Sequence, residues 1–536
     1  MRLRFQTSGW ERKNQMADVR PEKASRAADD EPSPQLGTIF YVTVGISAAF
    51  VLAGILFTEP FGNALAAVVD QIINGLGWLY LLITTVFLVF VLYLALSRFG
   101  RIRLGGRDAK PEFGLIAWFC MLFQAGMGIG LLFWGVAEPL LHYRNPPLGL
   151  AEPGTPEAAD LAMQYALFHW TLHPWAIYAV VGLAVAYFSF NKGVKSLRIS
   201  SVLRPLIGDR VEGPIGKAVD VLAIVATLFG VAVSLGLGTL QINAGLGAAF
   251  GLPSGLVLQL AIIAVTAAAY LLSASTPIEK GINWLSQASM VLAVILLLYF
   301  LAGVGPTLLV LNTFTQEIGG YLANLIPMSL RTSAFEPTSW LGDWTIFFWA
   351  TWIAWAPYVG AFIARISRGR TIRQFILGVL IAPSLFTVLW FCVFGATGIE
   401  VDNRVGGAIS GQAAEDEAVA LFAFLGQYPG TLFVSVLAIV LIWIFFVAGA
   451  DAGTVVLGSM SGGVLNPRVT VKLTWGVIMA ALAAILLAVG GLDALQNGAI
   501  LAATPFGILM LAICWSLHRA LAHDPPDPAT PMADGG

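Results

Sequence analysis

The sequence predicts an all-α membrane protein with about twelve transmembrane helices, and three observations carry that expectation. Apolar runs recur from Leu36 to Leu521, each near the roughly 20 residues a helix needs to cross a hydrocarbon core. Of the 536 residues, 57% are hydrophobic and only 11% charged, which overrides the several soluble domains that such a length would otherwise suggest. Third, Lys and Arg are sorted by loop, as the positive-inside rule requires of a multi-pass chain.

Taken in order, residues 1–35 are polar, carry charges of both signs and lack an apolar h-region with a cleavage site. They read as a cytoplasmic tail and not as a signal peptide. Spans are expected near 36–59, 75–98, 112–140, 160–190, 217–250, 256–274, 281–304, 343–365, 373–398, 430–460, 470–490 and 496–520. The stretch 309–330 is too polar for a span and suits an amphipathic helix lying along the surface. Arg98 to Lys110 follow the second span, Lys192 to Arg210 the fourth, Arg365 to Arg373 the eighth, and Arg468 and Lys472 lie between the tenth and eleventh. The alternate loops carry Glu152, Glu157, Asp402 and Glu415 to Glu417 instead, which puts both termini in the cytoplasm. The last residues, 522–536, form a short Pro-rich tail with no basic run. Cys120, Cys392 and Cys514 all fall inside apolar runs, so neither disulfides nor a cysteine metal site is expected.

Three stretches carry chemistry. Trp349, Trp352 and Trp355 recur every three residues, followed by Pro357, so a helix stacks them along one slowly turning stripe. Such a stripe either fills space between helices or lines a cavity whose π-faces suit a ligand cation. Gly126, Gly128 and Gly130 alternate inside the third span, where each weakens helix by about 1 kcal/mol relative to Ala. They either allow close helix packing or mark unwound backbone whose free amides and carbonyls meet a carboxylate and a cation. In FHWTLHPWAIY, Trp170, Trp175 and Tyr178 fall within an arc of about 140°, and Pro174 can bend them closer. With Trp352 they could cage a quaternary ammonium. His169 and His173 are four apart, but no third ligand lies near them in sequence, so no metal is expected.

Together, GMGIG with its following AEP, FHWTLHPWAIY, and WATWIAWAPYVGAFIARISRGR with TIRQFILGV closely resemble the betaine/choline/carnitine transporter family. The resemblance covers essentially the whole chain outside the tails. It implies a leucine-transporter-like fold in which 36–98 are lead-in helices, and two inverted five-helix repeats occupy 112–304 and 343–520. It implies an aromatic box of Trp170, Trp175, Tyr178 and Trp352, with Trp355 capping the trimethylammonium. The backbone of Gly126 to Gly130, with Met127 beside an ion position, would face the substrate carboxylate. One departure is Thr351, where relatives with a Trp–Trp pair carry an aromatic.

The coupling ion departs further. Sodium-coupled relatives carry Thr-Ser where this chain has Ala448 and Gly449, and two Thr where it keeps Thr227 but has Val231, with Ser234 nearby. Residues 218 to 247 also lack the Arg of sodium-free exchangers. Proton coupling is therefore expected, with Asp451, His169, His173 and Glu138 as intramembrane titratable candidates, and sodium coupling as the alternative. The sequence shows no ring of charged residues for a channel and no clustered catalytic groups for an enzyme. The expectation is a multi-pass transporter of a bacterial inner membrane that imports glycine betaine or, alternatively, choline, carnitine or ectoine. It needs no cofactor beyond the coupling ion, has no nucleic-acid partner, and by resemblance could form a homotrimer.

Overall fold

The computed structural model describes residues 36–523 other than 127, 195, 197, 277, 278, 337 and 465. The predicted N-terminal tail, the C-terminal tail beyond residue 523, and Met127 lie outside the described residues. Among those described, all regular elements are helical, and one isolated bridge pairs Arg103 with Thr371.

The helices that position the site are α1 (Thr38–Leu56), α2 (Thr58–Leu96), α3 (Leu115–Gly126), α4 (Ile129–Arg144), α5 (Pro156–Trp170), α6 (Leu172–Phe190), α7 (Pro214–Phe250), α8 (Leu256–Ser275), α9 (Glu279–Leu298), α10 (Thr307–Leu330), α11 (Phe347–Ile366), α12 (Ile372–Phe391), α13 (Thr431–Gly462) and α14 (Val469–His523). Ten helical segments among the described residues are long and apolar enough to cross a membrane. The third expected span is outside that ten because it divides into a 12-residue and a 16-residue helix. The eleventh and twelfth fall within the 55-residue α14, whose backbone departs from helix at Gly490 and Gly491.

The second span is longer than expected. Helix begins at Thr58 and not near residue 75, giving 39 residues or about 58 Å, well beyond the hydrocarbon thickness. Its first turns, TEPFGNALAAVVD, are polar enough to break an apolar run without breaking a helix. The stretch around 309–330 is indeed helical, and α10 is not among the ten apolar segments.

Burial separates centre from periphery. In α5 and α6 together, 94% of the most apolar window is buried, against 28% in α1 and α8, so the motif-bearing pair is the hub. Helix α11 packs along α6, and α14 lies against α7 and α2. At one end of the bundle the basic loops are tied together: the Leu104 amide donates to the Arg370 carbonyl, and the Arg370 guanidinium lies 3.9 Å over the Trp118 ring.

Candidate functional site

Two helix breaks create the site. The first separates α3 from α4, where Gly128 precedes α4 with non-helical backbone (φ −151°, ψ −141°). A run of glycines gives helix no side-chain packing to offset its backbone entropy, so the break falls there. Of the stretch Gly126 to Gly130, Gly128 is non-helical, whereas Gly126 ends α3 and Gly130 lies in the first turn of α4. Gly130 is also held small by its neighbour, because a Cβ there would stand 2.8 Å from the Trp170 ring. The second break, at Thr171 (φ −114°, ψ −112°), divides α5 from α6. Pro174 accounts for it, since its ring excludes the helical carbonyl of Trp170 four residues earlier. Pro357, by contrast, lies within an unbroken α11, so the tryptophan stripe runs along a continuous helix.

Between these elements lies a cavity of about 610 Å³. Its wall includes Gly128, Gly130, Trp170, Tyr178, Ser234, Thr351, Trp352 and Trp355, and among the described residues none of its lining side chains is charged. Trp170 meets Trp352 edge to face at 4.8 Å, and Tyr178 meets Trp352 at 6.3 Å and 83°. Trp355 packs on Tyr358 at 5.1 Å, farther along α11. Three of the four expected box residues thus share one wall. Trp175 does not line the cavity; it is buried behind Tyr178, with ring centroids 5.6 Å apart. The first tryptophan of the stripe, Trp349, is also turned away and stacks on His173 at 5.2 Å.

The cavity is asymmetric. Past the box, Phe348 lies nearly parallel to Trp352 (6.2 Å, 18°), and Trp134 meets Phe348 edge-on at 5.7 Å. These aromatics close one end. Toward the other end the lining continues through Cys120 and Phe362, both exposed, beside the Arg365–Arg373 cluster. Thr351, where an aromatic was expected by resemblance, turns its hydroxyl back to donate to the Phe347 carbonyl at 2.9 Å.

A buried polar network anchors the box. The Trp170 indole donates to Glu138 Oε2 at 2.8 Å, and Trp352 donates to the His169 carbonyl at 2.9 Å. His169 Nδ1 lies 2.7 Å from Glu138 Oε1, and its Nε2 lies 2.9 Å from Thr345 Oγ1. Glu138 sits inside α4 and joins α4 to α5. His173, four residues from His169, goes elsewhere and pairs with Ser329 Oγ at 3.1 Å. Sequence reading missed His142, which follows Glu138 by one helical turn and completes a cluster of Glu138, His142 and His169.

The remaining ion candidates are scattered. Ser234 lines the cavity. Thr227 does not, and its hydroxyl donates to the Ala223 carbonyl at 2.9 Å. Asp451 is buried on α13 beside the lining residues Gly449 and Ala452, and its Oδ1 has no hydrogen-bond partner. Helix α13 is continuous through it.

The geometry is that of a largely aromatic pocket of small-molecule size. Residues 38–526 match the family described as BCCT, betaine/carnitine/choline family transporter. The glycine betaine transporter OpuD of Bacillus subtilis is 48% identical over 493 residues, covering 91% of this chain and 95% of that protein. An ectoine/hydroxyectoine transporter of Virgibacillus pantothenticus is 42% identical, with 90% and 96% covered. The osmo-dependent choline transporter BetT2 of Acinetobacter baylyi is 39% identical, with 92% and 73% covered. The matched family spans every helix that builds the cavity, and the chain is a membrane transporter of the betaine/carnitine/choline family.

Proposed function

We propose that this transporter imports a quaternary ammonium compatible solute, glycine betaine foremost, by proton-coupled alternating access across a bacterial inner membrane. The observation that carries the reading is the set of Trp170, Tyr178 and Trp352 on one wall of an uncharged cavity, facing the amide end of α4. Aromatic faces attract a trimethylammonium that cannot donate a hydrogen bond. Unpaired amides at a helix start attract a carboxylate. A zwitterion supplies both charges, which fits a cavity that supplies neither. The 48% identity to a glycine betaine transporter supports the same substrate, while the choline and ectoine transporters among its relatives keep those solutes as alternatives.

The fold reading is twelve spans in two inverted five-helix repeats. Ten apolar segments, plus the split α3–α4 pair, plus the division of α14 at Gly490 and Gly491, support that number. With the termini read as cytoplasmic from the loop charges, the cavity in this conformation would open inward, toward the basic loops. Rocking of one helical bundle against the other would then expose the box to the opposite side. Assembly as a homotrimer remains part of the proposal by resemblance alone.

Proton coupling is favoured by Glu138 and His169, which hydrogen-bond to box residues, and by the buried Asp451 two residues from the lining Gly449. Sodium is the alternative, because Ser234 and the carbonyls freed at the α3–α4 break are oxygen ligands at the cavity wall. Uptake of labelled solute into proteoliposomes under separately imposed proton and sodium gradients tests the assignment. Accumulation under sodium alone would overturn the proton reading.

A further inference from the structure

Around Glu138 lies a donor set with one member, His142, that the transport reading does not use. Ligand atoms, one each from Glu138, His142 and His169, lie within 4.8 Å of one another, and all three residues are buried. His142 is the telling member. Its side chain is 1% exposed and neither ring nitrogen has a hydrogen-bond partner, although Nε2 stands 3.4 Å from Glu138 Oε1. Burying two polar nitrogens unpaired is unfavourable, and native interiors rarely tolerate it without a purpose. The neighbouring Tyr165 hydroxyl, whose ring packs 6.1 Å from His169, is likewise unpartnered.

Two imidazole nitrogens and one carboxylate oxygen match the borderline divalent metals, zinc above all, and suit alkali or alkaline-earth cations poorly. The supporting contacts fit as well. Glu138 Oε2 is occupied by the Trp170 indole, leaving Oε1 for a metal, and Thr345 fixes the far side of the His169 ring. Ligands about 2.1 Å from a tetrahedral metal stand roughly 3.4 Å apart. The Glu138–His142 separation of 3.4 Å already meets that figure. The 2.7 Å Glu138–His169 contact would open slightly as the two imidazoles close.

We propose that Glu138, His142 and His169 form a binding site for a divalent transition metal of the zinc class, and that filling it arrests transport. A bound metal would clamp α4 to α5 directly behind Trp170, so the two breaks that shape the cavity could no longer move independently. The site lies at the end of the bundle away from the Arg365–Arg373 cluster, two residues from the last residue of α4.

The test uses the full-length protein, stripped with chelator and titrated with zinc chloride by isothermal calorimetry, beside uptake of labelled glycine betaine at each zinc concentration. The wild type should bind one zinc per chain and lose uptake over the same concentrations, with magnesium chloride producing neither effect. H142F and H142Q, each checked for normal elution in detergent, should keep uptake in chelator and weaken zinc binding and inhibition at least about tenfold. Absence of zinc binding by the wild type, or equal binding by wild type and both variants, would overturn the site. Saturable binding at His142 with undiminished uptake would overturn the arrest. Because calorimetry reads the metal directly, failure of betaine uptake in every sample would count against the substrate reading and leave the metal result standing.

Discussion

Trp352 is the residue on which the box turns, since it meets both Trp170 and Tyr178 and is itself tethered to the His169 carbonyl. A desolvated cation–π contact is worth about 2 kcal/mol. Trp352→Leu should therefore raise the KM for glycine betaine by at least about tenfold, or abolish measurable uptake, while membrane expression stays normal. Wild-type uptake in that variant would misplace the box. Gly130 gives a sharper geometric test. A methyl group there would stand 2.8 Å from the Trp170 ring, and overpacking of that kind costs about 1–3 kcal/mol. Gly130→Ala should impair uptake by displacing Trp170, and Trp170→Phe in the same chain should recover part of it by freeing the space. Additive losses in the double variant would argue that the glycine acts through its backbone alone.

At the scale of elements, α10 is fastened to α5 by carboxylates. Glu317 is buried on α10, and Gln316 Nε2 donates both to Glu317 Oε1 and to Asp160 on α5. Burial, then the neighbouring Asp160, push Glu317 up to about 7 from the usual carboxylate value near 4.5. The docked helix thus holds the proton more tightly than a detached one, so docking is strongest at low pH and weakens as pH rises through about 7. Hydrogen exchange of α10 amides should speed up between about pH 5 and pH 8 beyond the intrinsic chemical rate, and Glu317→Gln should flatten that excess. An unchanged excess in the variant would assign it to another group. The division of α14 is set by Gly491, whose φ of +59° and ψ of −131° suit glycine alone. Gly491→Ala should destabilise the protein by about 1–3 kcal/mol and lower its melting temperature in detergent. A melting temperature equal to wild type would mean the chain straightens there without cost.

At the scale of the whole molecule, what the sequence reveals depends on how far apart interacting residues lie. Apolar runs and loop charges are local, so the helices are legible, and the Gly126–Gly130 break follows from backbone entropy alone. Trp170, Tyr178 and Trp352 were legible as a set, because each belongs to a motif rich in aromatics, although Trp170 and Tyr178 stand on two helices. The burial of Trp175 behind Tyr178 was not, since the break at Thr171 rotates α6 away from the arc that a continuous helix would give. The Glu138–His142–His169 cluster was also hidden, because helical spacing reports partners within one turn and Glu138 meets His169 across 31 residues. Spacing pointed instead to His169 with His173, which the fold separates by sending His173 to Ser329. The continuity of α2 was obscured by polar residues that its exposed first turns tolerate.

The central claim is that this pocket drives accumulation of a quaternary ammonium zwitterion on a proton gradient. The most direct measurement is uptake of labelled glycine betaine into proteoliposomes, with an inward proton gradient and an inward sodium gradient imposed separately. The account predicts accumulation above equilibrium with the proton gradient in sodium-free buffer, and none with sodium alone. Strict dependence on sodium would contradict it and would return the ion to Ser234 and the carbonyls of the broken third span.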